Sequence, residues 1–197
     1  IHYEGVSHGI DEARGLKRYQ SENRRQFQTK WQSVLLKGHF PNGKRLLHAR
    51  DRSRNKTTVV VIDHYVPHFD KDAGSRSTFL YLSLLVESGC QVKFIGDNFY
   101  QHEPYTGMLQ DMGIEVLYGR YYEKNWKTWL QTYAAEIDVI YMMRPHIAEK
   151  YIDIVNQLEP KPRTIYFGHD LHFLRMRRQA EITHDLSVSK DAVRWQE

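Results

Sequence analysis

The chain has 197 residues, 41% of them hydrophobic, and a formal net charge of +4 from 28 Lys and Arg against 24 Asp and Glu. That length suits one α/β domain with an appendage, and no run approaches the roughly 18 consecutive apolar residues of a membrane-spanning helix. A single Cys90 excludes an internal disulfide framework and a cysteine-based zinc site, and the modest positive balance, with no reading motif beside it, argues against nucleic acid as a partner.

Residues 1–56 are polar, strongly charged and free of strand-like runs. Leu16, Tyr19, Asn23, Phe27, Trp31, Val34 and Leu35 recur at helical spacing, which predicts one long amphipathic helix. Gly38 is the expected stop, Pro41-Asn42-Gly43 a turn, and the charged run from Arg50 to Lys56 a solvated linker that marks a domain boundary. Ile1 at the start, and an uncapped helix over Asp191–Glu197, read as the ends of a piece of a longer protein.

From Thr57 onward the pattern alternates. Strands are predicted at Thr58–Asp63, Gln91–Gly96, Glu115–Tyr118, Val139–Met143 and Arg163–Phe167, with helices at Ser75–Glu87, Tyr105–Met112, Trp126–Ala135 and Ala148–Leu158 between them. Val59-Val60-Val61-Ile62 is the continuous β-branched run of a central parallel strand covered on both faces. The expectation is an α/β fold: a Rossmann-like parallel sheet of at least five strands with helices on both faces, over 57–197, preceded by a mainly helical extension over 1–56.

In such a sheet the carboxyl ends of the strands share one rim, where open α/β sheets bind ligands. The rim here would hold Asp63 and His64 after the first strand, Arg144 and His146 around Pro145 after the fourth, and Gly168-His169-Asp170 after the fifth. Buried strands are expected to deliver these groups to a common crevice. His169 is the leading catalytic candidate, since an imidazole held near neutral pH can hydrogen-bond a sugar hydroxyl or a developing charge; Asp170 follows it. Gly74-Ser75-Arg76 opens a helix, where Gly admits a close ligand, Ser can cap, and free amides with Arg76 favour an anion; a capped helix with a solvated arginine is the plainer alternative. His64 and His68 have no companions at metal-ligand spacing, so no metal site is expected. Tyr118, Tyr121, Tyr122, Trp126 and Trp129 form an aromatic group that either stacks a sugar ring or faces the core, the core being favoured.

These residues carry a resemblance. Val61–Pro67 with Asp72-Ala73-Gly74-Ser75-Arg76, Asp97–Tyr100, Val116–Gly119, Arg144-Pro145-His146 and Tyr166–His172 together make 57–197 similar to the amino-terminal half of a GT-B glycosyltransferase close to family 4. The resemblance implies that this half binds the acceptor, that the loop at Gly74 faces the donor phosphates, and that His169 faces the reacting sugar. Ile1–Gly9, followed by the helix bearing Trp31, is similar to the carboxyl-terminal end of family 2 (GT-A) transferase domains, with His2 near the donor diphosphate and its metal; His8 stands where that pattern has arginine.

The resemblance implies a fragment of a retaining, nucleotide-sugar-dependent enzyme of bacterial surface polysaccharide synthesis, with a glycan or lipid-linked acceptor. It implies further that a donor-binding domain lies outside this chain, that the fragment alone is inactive and holds no cofactor of its own, and that the intact protein is cytoplasmic, in peripheral contact with the inner membrane face. The rival reading is a noncatalytic α/β binding or regulatory module, either receiver-like with Asp63 at its first strand end or a pseudo-transferase scaffold.

Overall fold

The computed structural model describes residues 11, 15–41, 43–49, 53–169, 171–184 and 186–194. His2, His8 and Asp170, singled out above, lie outside the described residues. The chain divides into two compact units, with the boundary between Asn55 and Lys56.

The first unit is built on helix α1 (Arg18–Gly38), entered through a 3-10 turn at Gly15–Lys17, with a short helix α2 (Leu46–Ala49) after it. The expected helix and its stop are both present. α1 buries none of its residues: Tyr19, Phe27, Trp31 and Val34 are all exposed. The segment expected to be a solvated linker is partly structural. Ser53 is buried and donates to the His48 carbonyl, while Arg54 and Asn55 donate to the Leu36 and Lys37 carbonyls. Side chains thereby satisfy carbonyl groups that the end of α1 leaves unpaired.

The second unit runs β1 (Thr58–Asp63), α3 (Ala73–Glu87), β2 (Gln91–Gly96), α4 (Tyr105–Asp111), β3 (Glu115–Leu117), α5 (Arg120–Tyr133), β4 (Val139–Met143), α6 (Pro145–Asn156), β5 (Arg163–Phe167), α7 (His172–Thr183) and α8 (Leu186–Arg194). All five strands are parallel and their order is β3-β2-β1-β4-β5, so β1 is central. Its six residues are all buried, as the unbroken β-branched run requires. On one face Val59 and Val61 pack with Leu82 of α3, Leu109 of α4 and Phe94 of β2. Val60 and Ile62 point the other way by the two-residue period of a strand, and are fully buried as well. Right-handed crossovers explain the layering: α3 and α4 carry the chain from β1 toward β3, while α5 carries it back past β1 to β4, which puts α5 and α6 on the opposite face.

Two expectations need correction. α5 starts at Arg120, six residues before the predicted helix, because Gly119 adopts φ 90° and lets the chain turn directly from β3 into the helix. β5, read as a buried strand, is the sheet edge: Arg163 to Tyr166 are exposed, Ile165 and Tyr166 included.

Candidate functional site

The connection leaving β1 runs toward β2 and the one leaving β4 runs toward β5, so the two diverge above neighbouring strands. This switch point, at the carboxyl ends of β1 and β4, is where open α/β sheets place their ligand sites. Asp63 closes β1 there, with 1% of its surface exposed. Its Oδ1 accepts from Arg144 Nε at 2.6 Å and from the His64 amide at 2.7 Å, and its Oδ2 accepts from Thr78 Oγ1 at 2.7 Å. A buried carboxylate with three donors, one of them a guanidinium, is well compensated for its desolvation.

Arg144 and Thr78 carry the network outward. A Cβ added to Gly74 would lie 3.2 Å from Arg144 Nη2 and 3.3 Å from Asp72 Oδ1, so glycine gives the guanidinium room to pass closely over the start of α3. Thr78 Oγ1 lies 3.5 Å from His169 Nε2. Gly74, Arg144 and His169, predicted to share a rim, are thus joined through Asp63 and Thr78.

The start of α3 departs from the expected open anion site. The helix begins at Ala73, and its cap is Asp72, which accepts from the Ser75 amide at 2.7 Å and the Ser75 hydroxyl at 2.6 Å. Ser75 is therefore a buried donor to the cap and not the cap itself. Tyr65 also donates to Asp72, and Arg76 is exposed on the outer side of the helix. Burial pushes the Asp72 carboxyl up, but Ser75, Tyr65 and the Arg144 charge outweigh it and hold the carboxyl below its ordinary value.

His64 and His146 also meet across the switch point, with Nδ1 and Nε2 3.1 Å apart and the rings edge to face. Beyond them lies a second polar group, of which sequence patterning placed only Asp97, at the end of the second strand, and not its partners on α6. Asp97, after β2, accepts from Tyr151 at 2.8 Å and from Lys150 at 2.5 Å, both on α6. Burial, then the Asp97 charge, pushes the Tyr151 phenol far above its ordinary range. Tyr65, His68, His102 and Tyr105 continue the rim as packed rings, with Tyr105 donating to Asp70 at 2.6 Å. The aromatic group on α5 divides: Trp126 and Trp129 are core residues, whereas Tyr121 is exposed.

The rim is held rigidly. Asp97 N donates to Asp63 O, Gly119 N to Phe99 O, and Arg144 N to Phe167 O, which extends the ladder past the strand ends. Three non-glycine residues there hold positive φ: Phe99 at 50°, Arg144 at 79° and His169 at 24°. Such conformations cost about 1–3 kcal/mol each and persist where surrounding contacts impose them, often at functional sites. Arg144 is paired with Asp63 and Lys150 with Asp97, and the Asp72 carboxylate at the start of α3 is held by Ser75 and Tyr65, so the site presents hydrogen-bonding groups with their charges already engaged. Among the described residues no group of three or more His, Cys, Asp or Glu is arranged to hold a metal ion.

Thr78 is the main participant that sequence reading missed. The available signal was a polar residue on the inner face of α3, in register with Ser75 and Leu82.

The histidines make this region acid-sensitive. Burial, then the charges of His64 and Arg144, hold His146 below the ordinary imidazole value against the pull of Asp97 and Asp63; burial and then His68 do the same to His102. A depressed native pKa means that the unfolded chain binds more protons below its own pKa of about 6.5. This stability contribution is present above that value and is lost as pH falls below it. Urea unfolding is expected to show decreasing stability from pH 7 to pH 5, with a shallower slope in His146→Gln; an unchanged slope would exclude His146 as a source.

Neither a family model, nor a curated protein, nor a solved structure matches this chain.

Proposed function

We propose that the second unit is the acceptor-binding half of a retaining, nucleotide-sugar-dependent glycosyltransferase of surface polysaccharide synthesis, acting at the cytoplasmic face of a membrane. The observation that carries this reading is the gathering of Gly74, Arg144 and His169 around Asp63 at the β1/β4 switch point. It is reinforced by the charge balance there. Asp72 already occupies the start of α3, and Asp63 already engages Arg144, so the crevice suits hydroxyl groups better than a diphosphate. The bulk of the donor-phosphate contact then falls to a donor-binding domain outside this chain.

In this reading catalysis rests on positioning and electrostatics. The rigid rim orients an acceptor hydroxyl, and closure of the two halves removes water from the reacting centre. His169 hydrogen-bonds the donor sugar or steadies charge as the glycosidic bond to the diphosphate breaks. The test is His169→Ala in the intact protein, with sugar transfer and acceptor binding measured together. The expected result is a loss of about 10²-fold or more in kcat, the range for removal of a positioned acid–base group, with acceptor affinity within severalfold. Unchanged turnover would remove His169 from the mechanism.

A further inference from the structure

The positive charge of this chain belongs to its first unit. Residues 1–55 hold 12 Lys and Arg against 5 Asp and Glu, whereas residues 56–197 hold 16 against 19. Such an asymmetry marks a partner with an anionic surface. Within the first unit α1 carries Arg18, Arg24, Arg25, Lys30 and Lys37, and a single acidic residue, Glu22. The same helix leaves Tyr19, Phe27, Trp31 and Val34 between 42% and 55% exposed. Their spacings of eight, four and three residues set them along one side of the helix. Arg24 lies one turn before Phe27 on one flank of this stripe, and Lys30 and Lys37 lie one turn either side of Val34 on the other flank. Glu22 precedes Trp31 by two and a half turns, which puts it on the far side. The Phe27 and Trp31 rings are 6.5 Å apart, and Lys30 Nζ lies 5.3 Å from the Trp31 ring.

We propose that α1 lies along the surface of an anionic lipid bilayer, with Tyr19, Phe27, Trp31 and Val34 at the boundary between headgroups and acyl chains and Arg24, Lys30 and Lys37 on the headgroup phosphates. Aromatic rings favour that boundary, and long basic side chains at the edge of an apolar stripe reach the headgroups while their stems stay against it. Among the described residues no helix is long and apolar enough to cross a membrane, so the contact made by α1 is peripheral. Charge selects this occupant over a second copy of the chain. The stripe is bordered on both flanks by positive residues and has no acidic one beside it, so two such helices would oppose like charges whichever way they ran. Duplex nucleic acid would engage the charges but leave Phe27 and Val34 in water. The inference names the element that would make the membrane contact of the proposed function, and it stands on α1 and not on the transferase chemistry.

The experiment needs no turnover. The whole chain is floated with vesicles of phosphatidylcholine alone, or of an equal mixture with phosphatidylglycerol, at low and at physiological salt. Binding to the mixed vesicles is expected, weaker as salt rises, with little binding to the neutral ones. Lipids brominated along the acyl chain should quench the fluorescence of Trp31, an effect absent in Trp31→Phe, since Trp126 and Trp129 are core residues. Lys30→Gln with Lys37→Gln should weaken binding by about fivefold per charge removed. Phe27→Ser with Trp31→Ser should weaken it by about tenfold or more and, at exposed positions, leave the circular dichroism spectrum unchanged. Equal binding to both vesicle types, or none to the mixed ones, overturns the proposal, and this wild-type comparison is decisive even if a variant fails to fold. Full binding by the Phe27 and Trp31 double variant overturns it too. So does dimerisation through these residues without lipid, or tighter binding to an oligonucleotide than to the vesicles. Wild-type sugar transfer by His169→Ala would sink the transferase reading and leave this one standing, whereas absent vesicle binding leaves the role of His169 open to its own test.

Discussion

Asp63→Ala is expected to lower the free energy of unfolding by about 3–5 kcal/mol, the cost of breaking a buried ion pair by removing one partner. The carboxylate is nearly inaccessible, and the Arg144 side chain retains only 19% of its exposure. Truncation leaves that guanidinium without its counter-charge and the Thr78 hydroxyl without its stronger acceptor. Arg144→Ala should cost less, about 2 kcal/mol, because Asp63 keeps the Thr78 hydroxyl and the His64 amide as donors. The double variant should fall short of the sum by about 1–3 kcal/mol, as contacting partners do. Urea denaturation measures all three, through midpoints at constant slope. Additivity within about 0.5 kcal/mol would mean that Asp63 and Arg144 are independent, and the site would lose its hub.

The hub also shows why the fold was legible in the sequence and the site only in outline. Four of the five predicted strands match the observed boundaries, and the third is shorter by Tyr118 alone, because β-branched runs bounded by Gly, Asp and Pro carry a strong local signal. Helix starts were less accurate. α6 begins at Pro145 and not Ala148, since proline at the first helical position needs no partner for its missing N–H, and Arg144 turns the chain at positive φ just before it. The rim positions of Asp63, Arg144 and His169 followed from topology. What did not follow was which rim residues satisfy one another. Asp72 caps α3 in place of Ser75, Arg144 turns inward to Asp63, and Arg76 turns to solvent. The turn of Arg144 toward Asp63 spans 81 positions, which no local pattern encodes, whereas the Asp72 cap lies only three residues from Ser75 and is a local feature.

Another charged pair lies near the opposite end of the sheet from these strand ends, and the expected response to its removal has an unusual sign. Lys93 in β2 is directly opposed to Glu115 in β3, its side chain is wholly buried, and its Nζ lies 2.5 Å from Glu115 Oε2. Glu115 keeps 26% of its side-chain exposure, so the desolvation burden falls mainly on the lysine. Glu115→Ala should therefore cost about 3–5 kcal/mol, because an ammonium group loses its counter-charge in the core. Lys93→Met should cost far less, on the order of 1 kcal/mol, since the remaining carboxylate can turn to water and methionine fills the lysine's volume. Replacing both, as Lys93→Met with Glu115→Leu, is expected to leave stability unchanged or to raise it by about 1–4 kcal/mol, because neither charge must then be held out of water. Thermal and urea unfolding of the three variants test this ordering. If the double variant were as unstable as Glu115→Ala alone, the pair would be a net source of stability. A register role would follow, since Lys93 and Glu115 lie opposite each other in the pairing of β2 with β3, and a slip by one residue would separate them.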